Sequence, residues 1–342
     1  VADVSTVFAD INNPTIAEIQ TWVQANLTLK QRLNGTQVVY FVEGRGTTCD
    51  LPDFTWTLNK GSELITLTNK LEYNGRIAYV ATDGSNTESL VGYSEFPFKD
   101  VMYHYLGGGN TPRSEWKNGD VVHARNGVYT ATGTNSAKLD FQDELYYLEE
   151  GVTLNLYNSA FWRGKTIVAD NTEGVFKITG SCTIHNHSGI VGIYPDKYNE
   201  FILECDRWES TTTGQYDIIG VSGKKNKTSI SEVRIKDVVI NRPTTGNYLF
   251  LSLDATINRA YIGNVYMNRW GRSFQLSSDR LDEVYGGKLR LDVGSIYVDD
   301  ASTGLAFGVN PLINIAMVNS IRHQNYSVDI GNITINNNLP AN

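Results

Sequence analysis

The chain has 342 residues, room for one large domain and a small one, and it is rich in Gly (31) and Tyr (19) but holds only 3 Met. A formal net charge of −8 at pH 7 argues against a general nucleic-acid binder or a ligand of anionic membranes, both of which need a basic surface. No apolar run approaches the roughly 18 residues of a membrane span, so membrane insertion is not expected, and no signal peptide is expected at Val1.

The N-terminal stretch predicts a helix reaching about residue 33. Pro14 suits a helix start, Thr15 and Glu18 match a capping box, and Ile16, Ile19, Val23 and Leu27 recur at helical spacing. After Asn34-Gly35 the period switches to strands over 36–42, 54–58 and 63–67, with Asn59-Lys-Gly-Ser62 as a hairpin turn. The β pattern continues over 71–80 and 90–98. Residues 1–106 therefore read as a small α+β domain. Residues 107–118 read as a linker, since Tyr105-Leu-Gly-Gly-Gly-Asn-Thr-Pro-Arg113 places three glycines before a proline.

Residues 119–342 read as a β solenoid. Gly119-Asp-Val-Val-His-Ala-Arg-Asn-Gly-Val-Tyr129 predicts strand, tight Asn-Gly turn, strand, and 145–154 predicts strand, Gly corner, strand. Phe176, Ile178, Cys182 and Ile184 share one parity, as do Phe201, Leu203 and Cys205. The decisive pattern comes last. Arg234-Ile-Lys-Asp-Val-Val-Ile240 recurs as Tyr261-Ile-Gly-Asn-Val-Tyr-Met267, Asp292-Val-Gly-Ser-Ile-Tyr-Val298 and Asp329-Ile-Gly-Asn-Ile-Thr-Ile335. Apolar residues hold the second, fifth and seventh places, and the second place falls at 235, 262, 293 and 330. Such spacing marks stacked repeats, each unable to bury its apolar face alone. The Gly-Asn and Gly-Ser pairs suit a bend. Cys49, Cys182 and Cys205 make neither a disulfide framework nor a CxxC metal site, and the last two are expected as small buried core residues.

The phrases GDVVHARNGVY and YYLEEGVTLNL resemble the opening coils of the pectin-lyase-like right-handed parallel β-helices, and the DIGNITI-type phrases resemble their later coils, over about residues 118–336. The front segment, about residues 10–70, is similar to N-terminal units of bacteriophage tail-spike and fibre proteins. These resemblances imply a virion-surface spike or fibre component, a homotrimer, attached to other virion proteins through its front domain and recognising a host surface polysaccharide. They equally admit a polysaccharide hydrolase or lyase, or a purely structural decoration protein. No cofactor is implied.

Hydrolysis of a glycosidic bond needs two carboxylates facing a sugar. Glu204, Asp206 and Glu209 are the foremost candidates, and Glu204 and Asp206 share the parity opposite Leu203 and Cys205; Asp217, Asp279, Asp282 and Glu283 are others. A lyase would draw on Lys224, Lys225 and Lys227. Three Trp/Arg clusters follow strands: Trp162 with Arg163, Arg207 with Trp208, and Trp270 with Arg272. If equivalent positions of successive coils align, these form a ladder along one side. Aromatic faces pack on sugar rings and Arg adds planar hydrogen bonding, so the ladder is expected to be a glycan-binding face or an intersubunit seam. His185 and His187 at i, i+2 are expected as an outward-facing pair, and no metal site is expected.

Overall fold

The computed structural model describes residues 29–34, 37–42, 55–60, 63–68, 74–87, 89, 91–94, 96–103, 117, 119–132, 143–157, 161–162, 174–187, 193–194, 196–211, 219–223, 229–241, 250–269, 273–277, 288–300, 312–316 and 325–337. It divides into two compact units, Val1–Tyr79 with Asp83–Lys99, and Val80–Thr82 with Asp100–Asn342. The expected linker around 107–116 lies outside the described residues.

The first unit holds a four-stranded sheet of β1 (Leu29–Asn34), β2 (Gln37–Val42), β3 (Thr55–Lys60) and β4 (Glu63–Thr68), in the order β1-β2-β4-β3. β3 and β4 pair antiparallel and close at Lys60 opposite Glu63, as the expected Asn59–Ser62 turn requires. One expectation is corrected here. Residues 29–34 do not end a helix; they form a strand antiparallel to β2, whose edge they pair. The expected helix over 15–28 lies outside the described residues. A second correction concerns the expected strand over 90–98, whose described residues 91–94 and 96–98 form turns with isolated bridges. Gly92 takes φ 89° and Pro97 has no amide to donate, so scattered bonds such as Phe98 N to Tyr79 O at 2.7 Å replace a ladder.

The second unit is built from parallel strands. β5 (Ile77–Val80) lies at its border, followed by β6 (Val121–Ala124), β7 (Val128–Thr132), β8 (Glu144–Leu148), β9 (Thr153–Tyr157), β10 (Phe161–Trp162), β11 (Val175–Thr179), β12 (Thr183–Asn186), β13 (Ile193–Tyr194) and β14 (Asp196–Tyr198). Next come β15 (Glu200–Thr211), β16 (Ile219–Gly223), β17 (Ile230–Asn241), β18 (Leu251–Asp254), β19 (Ile257–Met267), β20 (Phe274–Ser277), β21 (Lys288–Asp300), β22 (Ile313–Ala316) and β23 (Asn325–Asn337). A twelve-stranded sheet runs β23-β21-β19-β17-β15-β11-β8-β6-β5, with β7, β9 and β12 beside that path. A seven-stranded sheet runs β10-β13-β16-β18-β20-β22, with β14 beside it. From β15 onward the chain alternates between the two sheets, and each strand pairs in parallel with the one two elements on. This is a mostly β protein whose topology is compatible with a parallel β-helix.

The recurring phrase is the physical unit of the stack. Ile235, Ile262, Val293 and Ile330 are direct register partners. Each of the long strands alternates inward and outward, then places two consecutive residues outward: Asp206-Arg207, Lys236-Asp237, Gly263-Asn264 and Gly294-Ser295. Side chains of one flat strand alternate faces, so each pair marks a bend. The glycines there serve close approach, not positive φ. A Cβ on Gly263 would lie 2.3 Å from the Lys236 carbonyl oxygen, and one on Gly294 would lie 2.6 Å from that of Gly263.

The core is what the parities predict. Phe176, Ile178, Cys182, Ile184, Phe201, Leu203 and Cys205 are all buried, and Phe176 stacks on Phe201 with centroids 5.6 Å apart. Each fully buried side chain of this size contributes about 1.5–3 kcal/mol. Cys182 and Cys205 are free thiols, and burial pushes Cys182 up to about 12 and Cys205 well above its ordinary value.

Candidate functional site

The bend divides the outer surface of the long strands into two faces. Residues before it line a cleft of about 580 Å³, walled by Tyr147, Lys177, Glu204, Asp206, Arg234, Lys236 and Tyr261. One of its charges, Arg234, is tied to groups beside the cleft. Arg234 Nε donates to Glu232 Oε1 at 2.6 Å and Arg259 Nη1 to Glu232 Oε2 at 3.4 Å. Partial burial alone would raise the Glu232 carboxyl, but the bonds and charges of Arg234 and Arg259 outweigh it and hold the group below the usual range. The Arg234 and Arg290 guanidiniums lie over the Tyr261 ring at 4.5 and 5.4 Å, and Arg290 also bonds Asp292 at 2.8 Å.

Of the three foremost carboxylates, the fold brings two together. Glu204 and Asp206 are exposed and share the cleft. Glu209 lies beyond the bend on the other face, where it accepts from Arg207 Nε and stands 3.7 Å from His185 Nδ1. A glycosidase pair needs one carboxylate shielded from water and one not; here both cleft carboxylates face solvent. Asp217, Asp279, Asp282, Glu283 and the Lys224–Lys227 loop lie outside the described residues.

The Trp/Arg ladder is corrected by the same bend. Counting from inward Cys205, an unbroken strand would put residue 208 outward. The outward pair Asp206-Arg207 resets the phase, and Trp208 is 0% exposed, packed edge-on against Phe250 at 6.2 Å. It cannot reach a sugar. Trp162 belongs to β10 of the seven-stranded sheet, paired with Tyr194, whereas Trp208 sits in the twelve-stranded sheet, so the two do not stack in one column. Arg163, Trp270 and Arg272 lie outside the described residues.

Beyond the bend, successive outward positions form columns. One runs Asn155, His185, Glu209, Val239, Tyr266, Tyr297 and Thr334. Its upper part opens a groove of about 230 Å³ lined by Val239, Asn241, Tyr266, Asn268, Tyr297, Asp299, Thr334 and Asn336. The Tyr266 and Tyr297 rings are stacked, 5.1 Å apart and 9° from parallel, and are 41% and 40% exposed. They form an aromatic platform bordered by amides, a hydroxyl and a carboxylate. The sequence carried a signal for this platform, because Tyr occupies the sixth, outward place in two successive copies of the phrase.

Lower on this face the His185 and His187 rings lie 3.7 Å apart, half-buried. His187 Nε2 pairs with Asn155 Oδ1 at 2.9 Å, and its ring stacks on Tyr157 at 4.7 Å. Desolvation and the neighbouring His185 lower the His187 pKa, with Glu209 opposing. Among the described residues no cluster of three or more His, Cys, Asp or Glu is arranged to hold a metal ion. Comparison with known families, curated proteins and solved structures finds no match to this chain.

Proposed function

We propose that this chain is a right-handed parallel β-helix that recognises a surface glycan through the face beyond the bend, as a spike or fibre component of a virion. The observation that supports glycan recognition is the stacked, exposed Tyr266–Tyr297 pair in a polar groove. Aromatic faces pack against the apolar faces of sugar rings while neighbouring amides and carboxylates take the hydroxyls. Right-handedness follows from the strong bias of parallel crossover connections. The virion setting rests on the sequence resemblance of the front segment. The test is a binding isotherm of the intact chain with bacterial surface polysaccharides. Replacing both tyrosines, Tyr266→Ala with Tyr297→Ala, is expected to weaken binding about fivefold to a hundredfold, from roughly 0.5–1.5 kcal/mol per lost stacking contact. Unchanged affinity in that variant overturns the reading.

A second reading, polysaccharide depolymerase, is favoured by one observation: Glu204 and Asp206 share a 580 Å³ cleft with Arg234 and Lys236. It predicts new reducing ends on incubation with polysaccharide, accompanied by ultraviolet absorbance of a conjugated double bond if the bond breaks by elimination. Neither signal should survive Glu204→Gln with Asp206→Asn.

A further inference from the structure

The face beyond the bend carries aromatic surface at two levels of the stack. Tyr266 and Tyr297 are the upper group. The lower group is Tyr157, His187 and His185. The Tyr157 and His187 rings stack at 4.7 Å, 6° from parallel, and the His185 ring lies 3.7 Å from that of His187. Tyr157 is 38% exposed, close to the values of the upper pair. This lower group is held in place. His187 Nε2 donates to Asn155 Oδ1 at 2.9 Å, and the His187 backbone amide donates to the Leu156 carbonyl at 2.9 Å. Rings fixed beforehand lose little freedom when a ligand covers them.

Parallel pairing sets the two groups in line. His185 shares an outward column with Tyr266 and Tyr297, through Glu209 and Val239. Tyr157 and His187 belong to the neighbouring column. His187 sits one place beyond the Asn186–Ser210 pair, beside Thr211; Thr211 pairs with Asn241, and Asn241 lines the upper groove. None of the pairings from β9 to β21 shifts register, so the columns do not step sideways. The path β12-β15-β17-β19 has three steps, and at about 4.8 Å per step the two groups stand about 14 Å apart along the stack.

The side chains between them are smaller than the rings at either end. Val239, Thr211 and Asn241 are short, and the Glu209 carboxylate is already engaged by Arg207 Nε at 2.5 Å. The strip therefore offers hydroxyl and amide groups along its middle and aromatic rings at both ends. Rings pack on the apolar faces of sugars, while amides and hydroxyls take their polar groups. A single sugar ring reaches one group. Only an extended chain of sugars reaches both.

We propose that Tyr157, His185 and His187 form a second sugar-binding subsite, so that this face takes a long glycan chain laid along the stack from the histidine pair to the tyrosine pair. The inference rests on the glycan reading of the Tyr266–Tyr297 groove and adds to it the length and direction of the ligand. Linking the two contacts in one ligand makes the second binding event intramolecular and raises affinity with chain length.

Oligosaccharides of graded length, cut from a bacterial surface polysaccharide that the intact chain binds and titrated calorimetrically, test it. Affinity is expected to rise with length until one chain spans both groups. Tyr157→Ala should weaken binding of the longest chains about three- to tenfold, and leave binding of the shortest ones at the tyrosine groove unchanged. Tyr157→Phe, which keeps the ring, should bind the longest chains as the unsubstituted protein does. The melting temperature is the control for folding. An affinity that levels off at the shortest oligosaccharide and depends on Tyr266 and Tyr297 alone would overturn the inference and leave the glycan reading standing. Equal effects of Tyr157→Ala on short and long chains, or none on either, would overturn it too. Indifference of every length to Tyr266→Ala with Tyr297→Ala, or binding of no polysaccharide at all, would overturn both.

Discussion

The two faces that meet at the bend use the same backbone ladder for opposite purposes. Before the bend, outward side chains are largely charged, and several are bound to one another, as in the Glu232–Arg234–Arg259 set and the Arg290–Asp292 pair. Beyond it the Arg207–Glu209 pair gives way, coil by coil, to amides, Asp299 and the exposed Tyr266–Tyr297 platform. Charges already satisfied by neighbours keep a surface soluble but leave little unmatched for a ligand, while an exposed aromatic pair leaves apolar area to cover. Under the proposed function this contrast would put ligand recognition on one face and surface solvation on the other.

The largest way to break that contrast is to remove what holds the bend from inside. Trp208→Ala deletes the largest fully buried side chain among the described residues, with a calorimetric loss of about 3–5 kcal/mol expected. The protein that remains folded should bind glycan normally. Equal loss of binding per folded molecule would return Trp208 to the binding face. Next comes the glycine column. Gly294→Ala forces a Cβ to within 2.6 Å of the Gly263 carbonyl oxygen, and a cost of about 1–3 kcal/mol is expected in denaturant unfolding. An unchanged midpoint would show that the coils are not so tightly apposed.

The histidine pair sharpens the comparison through pH. An unfolded His titrates near 6.5, and in the folded chain His187 titrates lower because it is desolvated and faces His185. The unfolded state therefore binds more protons within the window between the two values. The contribution is present above about pH 6.5 and is lost as the pH falls through the folded value. Thermal melts across this range should show that decline, and His187→Gln should flatten it. A slope that persists in the variant would assign it to other groups. The smallest effect is expected at the charged face, where Glu232→Gln should cost no more than about 1 kcal/mol, since exposed pairs are weak.

Much of the stack was legible in the sequence because parallel pairing of equal phrases preserves inward places. Ile235, Ile262, Val293 and Ile330 were aligned by counting and are paired in space. The front strands were legible too, through period two and the Asn59–Ser62 turn. What failed did so at phase changes. Trp208 follows a strand segment of good alternation, and nothing in the local pattern announces that two outward residues precede it. The strand at 29–34 was hidden behind a helical periodicity that ends just before it. Glu204 and Asp206 were rightly put on one side, yet the separation of Glu209 depends on the same unseen bend. The tyrosine platform was written in the repeat itself, at an outward place overshadowed by the more conspicuous Trp/Arg pairs.

Hydrogen–deuterium exchange with and without bound surface polysaccharide tests the central claim most directly, since it compares both faces in one experiment. The account predicts added protection over 264–268, 295–299 and 332–336, and unchanged exchange over 203–206 and 232–236. Protection confined to the charged cleft, with the tyrosine segments unaffected, would contradict it.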